Sequence, residues 1–243
     1  MNTHFSLKYF KFGTHAISIQ WPEEISEVTL CDILQFKNKI ETSYPNAAIE
    51  CVQGFSELVI YYHLDTIDLN DEIEFLKIQY DKRSPNNMRD KAQLWEIPVC
   101  YDLEYGKDLE AFSKAKQLPI EEVIRLHTET TYTIYFTGFL PGFLYLGGLP
   151  PQLFKDRKQT PNLNISKGSV GIGGKQTGIY PQQSPGGWHI IGKTPVSFFN
   201  SQHHPPSVFK SGDRLRFKAV DKASYLELET TRSRRPQLIK YQE

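Results

Sequence analysis

Two short segments near residue 180 carry side chains able to bind and polarise a small ligand. Gln176, Thr177 and Tyr180 lie in Gln176-Thr177-Gly178-Ile179-Tyr180-Pro181, and Ser184, Trp188 and His189 in Ser184-Pro185-Gly186-Gly187-Trp188-His189. Each segment sets hydroxyl, amide or imidazole groups beside glycines, whose backbone N–H groups a ligand can reach because no side chain stands over them. Trp188 offers that ligand an apolar wall. The same residues suit the tight turns of a barrel, so at this level both readings stand. Lys175 and Lys193 close by favour an anion if they face the site, although a lysine on a turn is ordinarily only solvated.

His127 follows Ile120, Val123 and Ile124 at helical spacing, which places its imidazole on the apolar face of a helix. The plain reading is a satisfied core histidine, the sharper one a group bordering the site. His203 and His204 adjoin Pro205 and Pro206 without a third ligand at suitable spacing, so they read as a solvated loop and no metal site is expected. The glycine-rich run from Gly168 to Gln176 is no phosphate loop, because Ser169 stands where a glycine is needed and Gln176 where a serine or threonine is needed. A dinucleotide fingerprint beginning at Gly171 fails as well, with Gln176 at its third glycine position, and neither a GxSxG elbow nor an HExxH motif occurs.

The elements that must position these residues change character along the chain. Phe5, Leu7 and Tyr9, then Ile17, Ile19 and Trp21, repeat at period two around a turn near Gly13 and predict a hairpin. Leu30, Ile33, Leu34 and Ile40 predict a helix from about Glu24 to Ser43, ended by Pro45 and Asn46. Strands over Ala48 to Gln53 and Leu58 to Tyr62 flank Gly54. Asn70 then reads as the N-cap of a helix bearing Ile73, Leu76, Lys77 and Tyr80, with Asp71, Glu72 and Glu74 near its start and Lys82 and Arg83 near its end. The order ββαββα suits a small α+β domain over residues 1–88, with Ser84 to Gln93 as a polar boundary.

Residues 89–243 read as a second, mainly β domain. A strand over Trp95 to Cys100, short helices over Asp108 to Gln117 and Ile120 to Leu126, and a strand over Tyr132 to Thr137 lead into Gly138 to Gly192, a stretch holding twelve glycines. Interleaved with Phe139, Phe143, Tyr145, Ile172, Ile179, Tyr180 and Trp188, those glycines fit the short strands and tight turns of a packed barrel. Gly212-Asp213 through Leu215 and Phe217 to Tyr225 and Leu228 reads as a hairpin or two further strands. The tail carrying Arg232, Arg234, Arg235 and Lys240 reads as basic and mobile.

Of the 243 residues, 28 are Lys or Arg and 28 Asp or Glu, so global charge argues for neither nucleic acid nor an anionic membrane as partner. The halves differ: residues 1–90 carry a net of −6 and residues 91–243 a net of +6. No apolar run approaches the roughly 18 residues a membrane helix needs, and the N-terminus lacks signal-peptide character. Cys31, Cys51 and Cys100 are too scattered for a disulfide framework or a CxxC site, and the cytoplasm is the expected compartment.

The sequence resembles the KipI family, also called PxpB, the B-type subunit of 5-oxoprolinase, or allophanate hydrolase subunit 1, of the carboxyltransferase subdomain C/D type. The matching segments are Gly138 to Leu149, Gly168 to Gly178, Ile179 to Pro181 and Ser184 to Thr194. Ile97 to Tyr101, Glu121 to His127 and Gly212 to Phe217 fit as well. The resemblance covers nearly all of the second part, and only element order in the first ninety residues. Where many members are basic after Thr160-Pro161, this chain has Asn162 and Asn164.

The resemblance implies a cyclophilin-like β-barrel behind a small α+β domain. It also implies two functions. In one, the chain is a subunit of the bacterial ATP-dependent 5-oxoprolinase, acting with a KipA/PxpC-type subunit and a LamB/YcsF-type PxpA subunit to open 5-oxoproline to glutamate, with ATP bound with or by a partner. In the other it binds a sensor histidine kinase and blocks autophosphorylation. Prolyl isomerase activity rests on fold analogy alone. A lactam carbonyl is a poor electrophile, and phosphorylation by ATP would activate it without a nucleophile on this chain. On that reading Gln176, Thr177, Tyr180, Ser184 and Trp188 with the Gly186-Gly187 turn form part of a pocket shared with a partner, bordered by His127 and His189.

Overall fold

The computed structural model describes residues 4–44, 49–63, 67–82, 92–230 and 237–239. Contacts divide the chain into two units, Met1–Lys91 and Ala92–Glu243.

The first unit contains β1 (Lys8–Lys11), β2 (Ala16–Gln20), α1 (Glu27–Ser43), β3 (Ile49–Gln53), β4 (Glu57–Tyr62) and α2 (Leu69–Asp81). The strands form an antiparallel sheet in the order β1-β2-β4-β3. Alternation puts Ile17 and Ile19 of β2 and Leu58 and Ile60 of β4 on one face, where they meet Ile33, Phe36 and Ile40 of α1 and Leu76 and Tyr80 of α2. Each such side chain contributes about 1.5–3 kcal/mol on burial. Asp32 is buried among them, its Oδ2 accepting from Trp21 Nε1 at 2.8 Å and from the Tyr80 hydroxyl at 2.7 Å.

Local chemistry shifts several expected boundaries. Helix α1 starts at Glu27 rather than Glu24 because Ser26 caps it, accepting from Val28 N. Asp68, not Asn70, caps α2, its carboxylate accepting from Asn70 N at 2.7 Å. Phe5 and Leu7 pack against the core without strand pairing, which begins only at Lys8. Pro45, Asn46, Ala48, Arg83, most of the boundary segment Ser84 to Gln93, and Arg232, Arg234, Arg235 and Lys240 lie outside the described residues.

The second unit runs β5 (Leu94–Cys100), α3 (Leu109–Lys116), α4 (Ile120–Glu129), β6 (Thr131–Thr137), β7 (Leu144–Gly147), a 3-10 turn (Pro151–Leu153), β8 (Asn162–Ile165), β9 (Ser169–Gly173), β10 (Gln176–Ile179), β11 (Ser184–Gly186), β12 (His189–Lys193), β13 (Arg214–Val220), α5 (Lys222–Thr230) and β14 (Gln237–Ile239). Seven strands close into a barrel in the order β5-β12-β9-β10-β7-β6-β13, with the seam at Lys193 opposite Cys100. The pair β13–β5 is parallel and the others in the ring are antiparallel. This closed barrel is consistent with a cyclophilin-like fold. Strand β14 adds to β5 outside the ring, and β8 pairs with β11 in a separate ribbon.

The hairpin expected after Gly212 is replaced by a strand and a helix. Only β13 is extended, and Asp221 then starts α5, its carboxylate accepting from Ser224 N and its carbonyl from Tyr225 N. Asp213 clamps the strand ends. Its Oδ1 accepts from Gln93 N and its Oδ2 from Trp95 Nε1 and Lys210 N. Among the described residues no helix is long and apolar enough to cross a membrane.

Strands β7, β9 and β10 alternate between two cores. Leu144, Leu146, Val170, Ile172 and Ile179 enter the main core with α3 and α4. On the opposite face lies a second cluster of Phe143, Ile165, Tyr180, Trp188 and Ile190, with Leu140 and Tyr145 against it. The glycines of β9 and β10 are the floor of that cluster. A Cβ on Gly173 would lie 2.4 Å from Trp188 Cδ1, one on Gly178 2.9 Å from Trp188 Cζ3, and one on Gly171 3.2 Å from Trp188 Cβ. Gly173 is therefore required by the approach of an indole, Gly178 by that indole together with Leu144 O, 2.7 Å from such a Cβ, and Gly171 is closely packed against the same residue.

Gly173→Ala is expected to lower the unfolding free energy by about 2 kcal/mol through overpacking. In a Trp188→Leu background the same change should cost much less, measured by urea unfolding as a double-mutant cycle. An equal cost in both backgrounds would contradict the contact.

Candidate functional site

The residues expected to form a site divide between the two faces of the barrel wall. His127 and Thr177 are fully buried in the main core. His127 Nδ1 lies 2.7 Å from the Tyr101 hydroxyl and Nε2 lies 2.9 Å from Thr177 Oγ1, while Thr177 Oγ1 donates to Gly171 O at 3.0 Å. Because the threonine's one proton goes to that carbonyl, its oxygen accepts from His127 Nε2–H, and Nδ1 accepts from Tyr101. The imidazole is a neutral bridge stacked on Phe217 with centroids 4.4 Å apart. Burial drives its pKa down to about 3. This is the satisfied core histidine, with both nitrogens occupied by protein groups.

Tyr180, Ser184 and Trp188 lie on the other face, each buried. Trp188 meets Phe143 and Tyr145 edge-on at 5.6 and 6.2 Å between centroids. It belongs to a packed cluster, and its approach accounts for the neighbouring glycines. Burial pushes the Tyr180 phenol up to about 12, so it stays protonated at neutral pH and serves as a hydrogen-bonding group, not a base. A Cβ on Gly186 would lie 2.4 Å from the Tyr180 oxygen, so that glycine too allows a close approach. The Ser184 hydroxyl is buried with no hydrogen-bond partner among the described residues.

Gln176, Gly186, Gly187 and His189 are half-buried beside this cluster. His189 Nε2 donates to Asp156 O at 2.9 Å, and burial lowers its pKa. The Gly174 amide is not open to a ligand, since it donates to Lys155 O. His203 lies 3.3 Å from the Asn200 amide and is exposed with His204. Among the described residues no group of three or more His, Cys, Asp or Glu is placed to hold a metal ion.

Three residues not singled out from sequence complete the arrangement. Asp108 occupies the N-cap position of α3, but its side chain makes no capping bond. Its Oδ1 accepts from Lys158 Nζ and its Oδ2 from Ile190 N, both at 2.7 Å. Arg157 stands over Trp188, its Cζ 5.9 Å from a ring centroid. The run Lys155-Asp156-Arg157-Lys158 is visible as a basic patch, but Asp108 lies 50 residues from Lys158 and His189 33 from Asp156, beyond any local pattern.

These features define a two-unit α/β protein whose second unit is a closed seven-stranded barrel with a polar bridge inside and an aromatic cluster outside. Residues 7–209 match the carboxyltransferase domain, subdomain C and D. The B-type 5-oxoprolinase subunit of Bacillus subtilis (strain 168) is 36% identical over 224 residues, spanning 88% of this chain and 93% of that protein. The chain belongs to the carboxyltransferase subdomain C and D family, together with that 5-oxoprolinase component. The crystal structure of TTHA0988 superposes with a TM-score of 0.73 at 28% identity, covering 85% of this chain. This chain spans only 40% of that longer one. The Kluyveromyces lactis urea amidolyase shares the fold, with a TM-score of 0.80 at 15% identity over 96% of this chain and 16% of its own.

The buried imidazole makes stability pH-dependent. Unfolded His127 regains an ordinary pKa near 6.5, so the unfolded state binds the extra proton as pH falls from there toward 3, and stability is lost across that window. Between pH 7 and pH 5 the loss from this group is about 2 kcal/mol. Urea unfolding of wild type and His127→Gln at both pH values should show the variant losing correspondingly less; identical pH dependence would contradict a neutral buried imidazole.

Proposed function

We propose that this chain is the B-type subunit of an ATP-dependent 5-oxoprolinase that opens 5-oxo-L-proline to L-glutamate. The observation that carries the reading is the near full-length similarity to a protein named as that 5-oxoprolinase component, 93% of which this chain spans. The partners are a KipA/PxpC-type subunit and a LamB/YcsF-type PxpA subunit, the chain alone is inactive, and the complex works in the cytoplasm. A small α+β domain over residues 1–88 precedes a cyclophilin-like barrel domain over 89–243, and the barrel carries the site.

Opening the lactam requires negative charge on its carbonyl oxygen to be stabilised and the ring held still. ATP, bound with or by a partner subunit, would supply phosphoryl activation of that oxygen. The chain's own contribution is positioning. Gln176, Tyr180 and the Gly186-Gly187 turn offer amide, phenol and backbone groups beside Trp188, with Thr177, Ser184 and His189 supporting them and His127 fixing Thr177 from the core. The protonated Tyr180 phenol is suited to holding charge rather than taking a proton.

Glutamate release from 5-oxoproline and ATP tests this with the chain alone, the two partners alone and all three together. Turnover is expected only in the full mixture, falling about 10-fold or more with Gln176→Ala or Tyr180→Phe. Equal turnover without this chain would refute the subunit role, and inhibition of a sensor kinase would then be measured as the alternative. Full turnover with both variants would refute the placement of the site.

A further inference from the structure

Arg157 is a permanently charged group held in place without an acid to neutralise it among the described residues. The four-residue segment that carries it is fastened on both flanks to the barrel wall. Lys155 and Gly174 exchange backbone hydrogen bonds of 3.0 and 2.7 Å, and Lys158 N donates to Gly187 O at 2.7 Å. Lys158 Nζ is paired with Asp108, and Asp156 O is held by His189 Nε2. Asp108 is in turn fixed by Ile190 N, close to Trp188 in the chain. The backbone around Arg157 is thus tied to the β9–β10 turn at Gly174, to the β11–β12 link at Gly187 and to β12 at His189, which limits the freedom an exposed arginine ordinarily has.

The side chain itself is spent differently from its neighbour's. Lys158 has a carboxylate partner, while Arg157 has none among the described residues and instead stands over the Trp188 indole. One contact to a ring leaves the guanidinium N–H donors free for a ligand. Its charge also acts on the Tyr145 and Tyr180 phenols, drawing both down against the burial that raises them, so the cation and the two hydroxyls share one neighbourhood. Gly187 beside it carries no side chain to fill the adjoining space, and a Cβ there would lie 3.8 Å from Arg157 Cβ.

A planar fork of donors, preorganised on an indole and flanked by phenols, matches one ligand chemistry closely: a carboxylate, taken bidentately. We propose that Arg157 is the carboxylate anchor of the site, selecting a small cyclic amide by its acid group. The inference rests on the 5-oxoprolinase reading, in which the substrate carries a single carboxylate and no other charge at neutral pH. The anchor would hold the acid group while leaving the lactam carbonyl to the polar groups of the wall and partner.

The assembled three-subunit mixture is the test, with full-length Arg157→Gln, Arg157→Lys and, as a charge control on an exposed lysine, Lys167→Gln. The KM for 5-oxoproline is expected to rise about 10- to 100-fold in Arg157→Gln, with a smaller change in kcat. Arg157→Lys should recover part of the loss, because it restores charge without the fork, and Lys167→Gln should leave KM unchanged. In parallel, saturation-transfer NMR on the full-length chain compares 5-oxoproline with 2-pyrrolidinone, which has the ring but no acid. Contact with 5-oxoproline that is lost in Arg157→Gln, and that 2-pyrrolidinone never shows, supports the anchor independently of turnover. Chain-dependent turnover with an unchanged KM in Arg157→Gln overturns the anchor and leaves the subunit role standing. If turnover does not depend on this chain, the subunit role falls and the NMR alone decides: a signal that survives Arg157→Gln, or no signal, overturns the anchor.

Discussion

The indole of Trp188 rests directly on backbone, and that contact constrains everything around it. Two positions on neighbouring strands, Gly173 and Gly178, must lack a side chain for the ring to reach the wall, and Gly171 adjoins the Trp188 Cβ. Because β-strands alternate their faces, the intervening residues Val170, Ile172, Thr177 and Ile179 are committed to the interior of the barrel. A one-residue slip of either strand would drive those side chains into the indole and put glycines in the core, so a single bulky ring helps to set register across this part of the barrel.

The same wall links the two groups of polar residues. Thr177 sits next to Gly178 in the chain, facing inward to His127 and donating across the ladder to Gly171 O, while Gly178 faces the aromatic cluster. A buried neutral imidazole with both nitrogens engaged stiffens the inside of a wall whose outside holds Tyr180 and Trp188, with Arg157 over the indole. Asp108 and Lys158 tie the start of α3 to the segment carrying Arg157. Rigid support beneath a few polar groups is what a site that positions a substrate needs, whereas catalysis by a chain-borne nucleophile would need a base of suitable pKa nearby. Neither His127, held near 3, nor Tyr180, held near 12, is tuned for that work.

The barrel is legible in the sequence because its signal is compositional: dense glycine and proline interleaved with aromatics leave room only for short strands and turns. Helix α4 and the inward face of His127 are legible from spacing alone. The purpose of the glycines is not. A local reading makes them turn residues with open amides, whereas Gly173 and Gly178 answer to a tryptophan that reaches them through the fold. Helix α5 reads as extended because Leu215, Phe217 and Tyr225 share odd spacing across a boundary that only the Asp221 side-chain bond marks. Asp108, Arg157 and Lys158 form no motif, since their meaning lies in contacts between distant segments.

Whether Trp188 is immobilised on a glycine floor is tested most directly by 19F NMR of the chain labelled with 5-fluorotryptophan. Trp188→Phe assigns one of the three expected resonances. An immobilised, buried indole predicts a resonance that is insensitive to exchange of H2O for D2O and keeps its position in urea until the barrel unfolds as a whole. A resonance that shifts with solvent isotope, or moves toward the unfolded value well before global unfolding, would contradict it.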